Sequence, residues 1–81
     1  MRIHVRMSAG LAHATGQPRL LLTLQEGATV ADAVAQLVSQ QPGLASPLQR
    51  ALPMARGQHV DQQTVLQDGE ELLLLLPAAG G

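Results

Sequence analysis

The sequence contains no cysteine, no aromatic residue and no lysine. The lack of cysteine excludes a disulfide framework, a thiolate zinc site and a thiol nucleophile. Without Phe, Tyr or Trp the core must be aliphatic, and no aromatic ring is available to stack on nucleic-acid bases. The arginines are scattered along the chain and the net charge is −1, so nucleic acid is not an expected partner.

The length and the apolar fraction indicate one small globular domain. The 81 residues are 46% apolar and 14% charged, which is a globular rather than a disordered composition. The N-terminal segment "MRIHVRMSAG" lacks the continuous apolar stretch of a signal peptide. No segment approaches the roughly 18 apolar residues of a membrane span. The expected location is therefore the cytoplasm, and no membrane partner is expected.

Two segments near the N-terminus have the alternation of β-strands. Residues 1–7 and 19–25 carry apolar side chains at every second position, which is the period of a strand with one buried face. The linking segment 8–18 is rich in Gly, Ser and Thr, which predicts a loop with room for a short helical turn. The two strands are expected to pair as an antiparallel hairpin. Their inward side chains are expected to be Ile3, Val5, Met7, Leu20, Leu22 and Leu24.

The clearest helix signal begins at Thr29. Its hydroxyl can cap the helix, and Asp32 follows three residues later in a position like that of a capping box. Pro42 and Gly43 are expected to end the helix. The apolar face is expected to consist of Val30, Val34, Leu37 and Val38, which recur at helical spacing. Together with Ile3, Val5, Leu22, Leu24 and alternate leucines of 72–76, these residues form the predicted core.

The second half of the chain predicts shorter elements. The segment "LASPLQRAL" can hold a short second helix, and "PMARGQHV" predicts two short strands around a turn at Arg56-Gly57. Asp68-Gly69 is a further turn signal. The histidines, His4, His13 and His59, lack metal-ligand spacing. They are expected to be solvated, and no metal site is expected.

Residues 70–76 predict a last strand that includes five consecutive leucines. A strand that is apolar on both faces is usually central in its sheet and covered on both sides. The one long helix can cover a single face. Either loops or a partner protein covers the other face, and the sequence leaves both readings open.

The sequence ends in Gly80-Gly81. Two terminal glycines arise by chance in roughly one chain in 200, and a frayed end or an expression scar could also account for them. The functional reading is that the terminal carboxylate reacts in the active site of another protein, because glycine has no Cβ and fits a narrow channel. A carboxylate must first be activated, for example as an acyl-adenylate. The chain has no phosphate-binding loop, so the activating enzyme is expected to be a partner that uses ATP.

The order of these signals resembles the MoaD/ThiS family of ubiquitin-like sulfur carriers. The resemblance rests on the hairpin, "EGATVADAV", "PGL", "DGEELLLLLP" and the terminal "GG", and it covers essentially the whole chain. It implies an α+β, ubiquitin-like β-grasp fold with a mixed sheet of four to five strands packed on one main helix. Residues 1–76 would form the domain, and residues 77–81 a flexible reactive tail.

Within the family, the length and the tail "LLPAAGG" look most like the small subunit of molybdopterin synthase. The resemblance then implies that Gly81 is adenylated and converted to a thiocarboxylate, which donates sulfur to precursor Z. The chain would not be catalytic alone but the sulfur-donating subunit of a two-subunit sulfurtransferase. Pro77, Ala78, Ala79 and Gly80 would enter the partner's active site, and Leu73 and Leu75 would belong to the partner interface.

The implied partners are three proteins. They are the large catalytic subunit of molybdopterin synthase, an adenylyltransferase related to ubiquitin-activating enzymes, and a sulfur donor, either a sulfurtransferase or a desulfurase. No bound cofactor is expected, since ATP is used by the activating partner.

The chain departs from the common family pattern at three places. Ala78 stands where many members have a second proline, Met7-Ser8-Ala9 where many have an aromatic residue, and Arg56-Gly57 where Asn-Gly is common. Two alternatives stay open. One is a sibling carrier that serves thiamin thiazole, cysteine or another sulfur metabolite. The other is a non-reacting β-grasp module for protein interaction.

Overall fold

A computed structural model of the chain describes residues 1–76. In that range the strands are Arg2–Met7 (β1), Arg19–Thr23 (β2), Leu52–Ala55 (β3), Gln58–His59 (β4) and Glu71–Leu75 (β5). The α-helices are Ala9–Thr15 (α1), Val30–Gln40 (α2) and Ala45–Gln49 (α3), and a 3₁₀ turn lies at Pro42–Leu44.

The five strands form one mixed sheet in the order β2-β1-β5-β3-β4. β1 and β2 are antiparallel, as the hairpin prediction required. β5 runs parallel to β1 and antiparallel to β3, so the leucine-rich strand is central, as expected from its apolar faces. The architecture is a ubiquitin-like β-grasp, which confirms the predicted fold class.

Helix α2 begins with the predicted capping box. The Thr29 Oγ1 atom accepts a hydrogen bond from the Asp32 backbone N–H at 3.3 Å, and the Thr29 N–H donates to Asp32 Oδ2 at 2.9 Å. These two bonds satisfy backbone groups that the first turn of a helix leaves unpaired. The helix ends at Gln40, just before the predicted stop at Pro42.

The predicted helix face is shifted relative to the observed one. The residues of α2 that are buried are Val30, Ala33 and Leu37, whereas Val34 and Val38 are half-buried and only flank the core. The prediction that Val34 and Val38 belong to the core is therefore only partly correct, because both side chains contact the core but keep part of their surface exposed. The small side chain of Ala33 occupies the side of the helix that packs on the core, and the two valines lie beside α3, near Leu48.

Of the other residues expected inside, Leu20 and Leu76 are half-buried and flank the core, and the rest are buried. Several further buried residues come from segments that the sequence predicted as loops. The buried apolar cluster comprises Ile3, Val5, Met7, Leu11, Leu22, Leu24, Ala28, Val30, Ala33, Leu37, Leu44, Leu48, Leu66, Leu72 and Leu74. Leu11 belongs to α1, a helix of seven residues where the sequence predicted a loop with room for a short turn. β2 ends at Thr23, two residues before the predicted end of the strand, yet Leu24 is still buried.

Candidate functional site

The last described residue, Leu76, is anchored where the central strand ends. Its backbone N–H donates to the Ser8 Oγ atom at 2.9 Å, and the Ser8 N–H donates to the Leu74 carbonyl at 3.0 Å. The Leu76 side chain packs against the core. The end of the described chain therefore has a defined position between β5 and the start of α1.

The predicted reactive tail lies outside the described residues. This applies to Gly81, proposed from the sequence as the reactive residue, and to Pro77, Ala78, Ala79 and Gly80, proposed to enter a partner's active site. Their roles, and the division of the chain into a domain of residues 1–76 and a tail of residues 77–81, stay predictions.

Leu73 and Leu75 lie on the sheet face opposite to α2. Their neighbours in β5, Leu72 and Leu74, are fully buried on the side of the helix, whereas Leu73 and Leu75 are half-buried. The sequence alone does not decide which set of leucines faces outward. The structure does, and the outward set is the pair assigned to a partner interface from the sequence.

Two residues of β3 extend this apolar surface. Leu52 lies opposite Leu75, and Met54 lies opposite Leu73, in the antiparallel register of β3 and β5. Directly opposite residues share one face of a sheet, and Leu52 is 43% exposed. We call the four residues Leu52, Met54, Leu73 and Leu75 the outer-face patch.

Charged and other polar side chains border the outer-face patch. Arg6 of β1 lies opposite Leu73 in the parallel register, and its Nη1 atom is 3.4 Å from Glu71 Oε1. On the other side, His59 of β4 lies opposite Met54. The patch thus has an apolar centre and a polar border, which is the usual arrangement of a protein-binding surface.

A second ion pair closes one end of the patch. The Arg56 guanidinium holds the Glu70 carboxylate, with Nε 2.9 Å from Oε1 and Nη2 3.1 Å from Oε2. A shallow groove of about 380 Å³ lies beside this pair, and its lining includes Met54 and Leu73. The sequence indicates only a turn at Arg56, and neither this pair nor the contact of Ser8 with Leu76 could be predicted from it.

All three histidines are exposed. His59 lies at the border of the outer-face patch, and His4 and His13 are not part of the patch. Among residues 1–76, no three His, Asp or Glu side chains are grouped so that they could hold a metal ion. In the same range, no helix is long and apolar enough to cross a membrane.

A sequence model of the ThiS family matches residues 5–81, which is nearly the whole chain. A search of curated proteins found no match to the sequence.

Solved structures with a similar fold come from several organisms. SAMP1 of Haloferax volcanii has a TM-score of 0.90 at 25% identity, with 100% of both chains covered. A chain in the complex of subunits 1 and 2 of the molybdopterin-converting factor of Helicobacter pylori has a TM-score of 0.72 at 21% identity, also with 100% of both chains covered. A chain in the BexX/CysO complex of Amycolatopsis orientalis has a TM-score of 0.75 at 21% identity, with 98% of this chain and 99% of that chain covered.

Proposed function

The chain belongs to the ThiS family, and from that premise we propose that it is a sulfur carrier with its sulfur on Gly81. The observation that carries the proposal is the family match, which extends through Gly80-Gly81. The anchored end of β5 supports it, because the hydrogen bond from Leu76 N–H to Ser8 Oγ fixes where the proposed reactive segment begins.

The proposed chemistry takes place at the main-chain carboxylate. In the active site of a partner adenylyltransferase, a Gly81 carboxylate oxygen attacks the α-phosphorus of ATP. This step forms the acyl-adenylate and releases pyrophosphate. A sulfide equivalent from a sulfur donor then attacks the carbonyl carbon, and AMP leaves with the electron pair of the C–O bond. The product is a thiocarboxylate, and neither step changes the oxidation state of the carbonyl carbon.

Sulfur delivery is proposed to occur in the active site of an acceptor enzyme, with the chain acting as donor rather than as catalyst. The thiocarboxylate sulfur attacks an electrophilic carbon of the acceptor substrate and forms a C–S bond, while an oxygen leaving group departs from that carbon with the electron pair of the broken C–O bond. Water then cleaves the remaining bond between sulfur and the Gly81 carbonyl, which restores the carboxylate. Pro77 to Gly80 are proposed to span the approach to that active site, where side chains as small as Ala and Gly fit closely.

The finer proposal is that the acceptor enzyme is the large subunit of a molybdopterin synthase and that the substrate is precursor Z. The similarity to a chain in the Helicobacter pylori complex of molybdopterin-converting factor subunits supports it. The cytoplasm, where ATP is available, is the proposed location. The similarity to a chain of the BexX/CysO complex favours a second candidate, a carrier for another sulfur metabolite. The likeness to SAMP1, the small archaeal modifier protein 1 of Haloferax volcanii, favours a third, a protein modifier.

The carrier proposal is tested by intact-protein mass spectrometry. The chain is first purified from its own organism to establish that Gly81 is the last residue of the mature protein. It is then incubated with the adenylyltransferase of the same organism, ATP and sulfide. The expected mass increase is the difference between one sulfur and one oxygen atom, and it should disappear when ATP is omitted. An unchanged mass with an enzyme that is active on another carrier would overturn the proposal.

A second experiment distinguishes the candidate pathways. The thiocarboxylated chain is mixed with the large subunit of molybdopterin synthase and precursor Z, and molybdopterin is measured. Formation of molybdopterin supports the finer proposal. Sulfur transfer that occurs only with the enzymes of another sulfur pathway favours the sibling carrier, and attachment of the chain to lysine amines of other proteins favours the modifier.

A further inference from the structure

Ser8 occupies the position of a helix cap without capping its helix. It precedes α1 with an extended backbone at φ −61° and ψ 165°, yet its side chain makes no hydrogen bond to the first turn. A serine at this position usually accepts a hydrogen bond from the second or third N–H of its own helix. Here the hydroxyl oxygen accepts from the Leu76 N–H instead, at 2.9 Å and across 68 positions of sequence.

The Leu76 N–H is a significant donor because the next residue cannot donate. Residue 77 is proline, which has no N–H, so Leu76 supplies the last backbone donor before Ala78. A residue before proline is also restricted toward extended conformations. The bond to Ser8 therefore fixes the last backbone N–H before Ala78.

Gly10 provides an independent observation at the same place. It lies inside α1, where glycine destabilises a helix relative to alanine. Its backbone has no positive φ that would require glycine. A Cβ atom at Gly10 would lie 3.2 Å from Leu76 Cδ2, closer than such contacts usually come. The absence of a side chain at residue 10 thus gives the Leu76 side chain its room.

We propose that Ser8 and Gly10 form a seat for Leu76 that positions the reactive C-terminal segment for its partner enzyme. Ser8 holds the Leu76 backbone, and Gly10 accommodates its side chain. Both are positioning residues, since they act through Leu76 and not on the reacting carboxylate. The inference rests on the proposed carrier function, and it predicts which surface of the domain sets the direction of the segment after Leu76.

The seat matters because a terminal segment finds an active site more readily when its origin and direction are fixed. Restricting a binding segment in advance reduces the ordering cost of binding, and it raises the effective concentration of the terminus at the partner's active site. Loss of the seat should therefore weaken productive docking of the terminus. Once the terminus is in place, the chemical step should proceed unchanged.

The first test replaces Ser8 by alanine, with Ser39→Ala as the matched control on the exposed side of α2. Amide hydrogen exchange measured by NMR should be about fivefold faster at Leu76 in Ser8→Ala, which is the effect of losing one ordinary hydrogen bond. It should be unchanged in Ser39→Ala. Ser8→Thr keeps a hydroxyl and should restore the slow exchange. Equal exchange in the wild type and Ser8→Ala would overturn the seat, whether or not the chain carries sulfur.

The second test follows thiocarboxylate formation with the adenylyltransferase, ATP and sulfide at a temperature where every variant is folded. For Ser8→Ala the KM for the carrier should rise about fivefold with kcat unchanged, since docking loses the ordering that one hydrogen bond provides. Ser8→Thr should return the KM to the wild-type value. An unchanged KM for Ser8→Ala, with an active wild type, would overturn the positioning role alone. A wild type that takes up no sulfur would instead overturn the proposed function.

Gly10→Ala provides an independent variant that keeps the hydroxyl. Gly43→Ala is its matched control, because Gly43 lies in the 3₁₀ turn, has no positive φ, and has no atom within 4 Å of the position that an added methyl group would take. Gly10→Ala should shift the Leu76 methyl resonances and raise the KM, while Gly43→Ala should do neither. Identical Leu76 resonances and KM in Gly10→Ala would contradict the steric half of the seat.

Discussion

The Nε atom of Arg56 lies 2.9 Å from Oε1 of Glu70. This ion pair connects the β3–β4 turn to the residue that precedes β5. Arg56 has a φ of 55°, in the left-handed region, and Gly57 follows at 77°. A non-glycine residue in that region costs roughly 1 kcal/mol. The arginine is accommodated there because its side chain reaches the Glu70 carboxylate and the Val65 carbonyl.

The Glu70 carboxylate should stabilise the fold more than its exposed neighbour does. The Glu70 side chain is 8% exposed, and besides Arg56 it accepts the Gln67 N–H at 2.7 Å. We expect Glu70→Gln to lower the free energy of unfolding by about 1–2 kcal/mol, since hydrogen bonds to charged groups are the stronger ones. The measurement is urea unfolding followed by far-UV circular dichroism, because the chain has no tryptophan or tyrosine for fluorescence.

The adjacent residue Glu71 is the matched control. Its pair with Arg6 is 3.4 Å long, and the side chains of Arg6 and Glu71 are 47% and 53% exposed. Exposed pairs contribute little, so Glu71→Gln should change the free energy of unfolding by less than about 0.5 kcal/mol. Equal losses of unfolding free energy in Glu70→Gln and Glu71→Gln would contradict a greater stabilising contribution from the buried Glu70 carboxylate.

The observed face of α2 gives a second prediction. Leu37 is 1% exposed, so Leu37→Ala should lower the free energy of unfolding by about 2–5 kcal/mol, a large part of the roughly 5 kcal/mol available to so small a domain. Val38 is only half-buried, and Val38→Ala should cost about 1 kcal/mol or less. Urea unfolding of both variants checks the order. A greater loss of unfolding free energy in Val38→Ala than in Leu37→Ala would contradict the observed face of α2.

This shift of the helix face shows where the sequence was informative. Spacing and caps predicted α2, the hairpin and the central last strand, because these signals are local. Hydrophobicity alone favoured Val34 and Val38 over Ala33, whereas close packing against a sheet favours a small side chain at the contact. Leu11 was missed because the Gly, Ser and Thr around it predict a loop. Burial of the Leu11 side chain in the core stabilises α1, and this burial is not visible in the local sequence.

In the candidate site, too, the sequence predicted the local feature but not the contacts between residues that are distant in the chain. Gly80-Gly81 could be recognised because a terminal dipeptide is read directly from the sequence. The partners of Ser8 and Arg56 could not, since Leu76 and Glu70 are distant in the chain and meet them only through the sheet topology. The orientation of Leu73 and Leu75 also depended on the register of β5, because a strand of consecutive leucines has no polar alternation to set its faces.

A third prediction concerns the terminal carboxylate. An alanine added after Gly81 should abolish thiocarboxylate formation, because the activated carboxylate would then belong to a different residue. Thermal unfolding should not change. Ala79→Gly is the control, since it alters the same segment but leaves the terminal glycine. The readout is intact mass after incubation with adenylyltransferase, ATP and sulfide. Sulfur uptake by the extended protein at the normal rate would show that Gly81 is not the reactive residue.

The last prediction concerns the outer-face patch, for which the two faces of β5 supply a paired experiment. Leu74 is 1% exposed in the core, so Leu74→Glu would bury an unpaired carboxylate and should unfold the domain. Leu73 is half-buried on the opposite face. Leu73→Glu should therefore stay folded, as thermal unfolding would show.

Leu73→Glu should nevertheless lose the complex with the partner enzyme, because a charge would replace an apolar side chain near the centre of the patch. Apolar patches on small domains commonly mark protein interfaces, and charged residues are depleted from interface centres. Leu21→Glu is the control: Leu21 is 50% exposed on the edge strand β2, separated from β5 by β1. Binding is measured by titration calorimetry with the adenylyltransferase. Normal binding by folded Leu73→Glu would contradict docking through the patch. Equal losses of affinity in Leu21→Glu and Leu73→Glu would show that added negative charge, rather than the patch, weakens the complex.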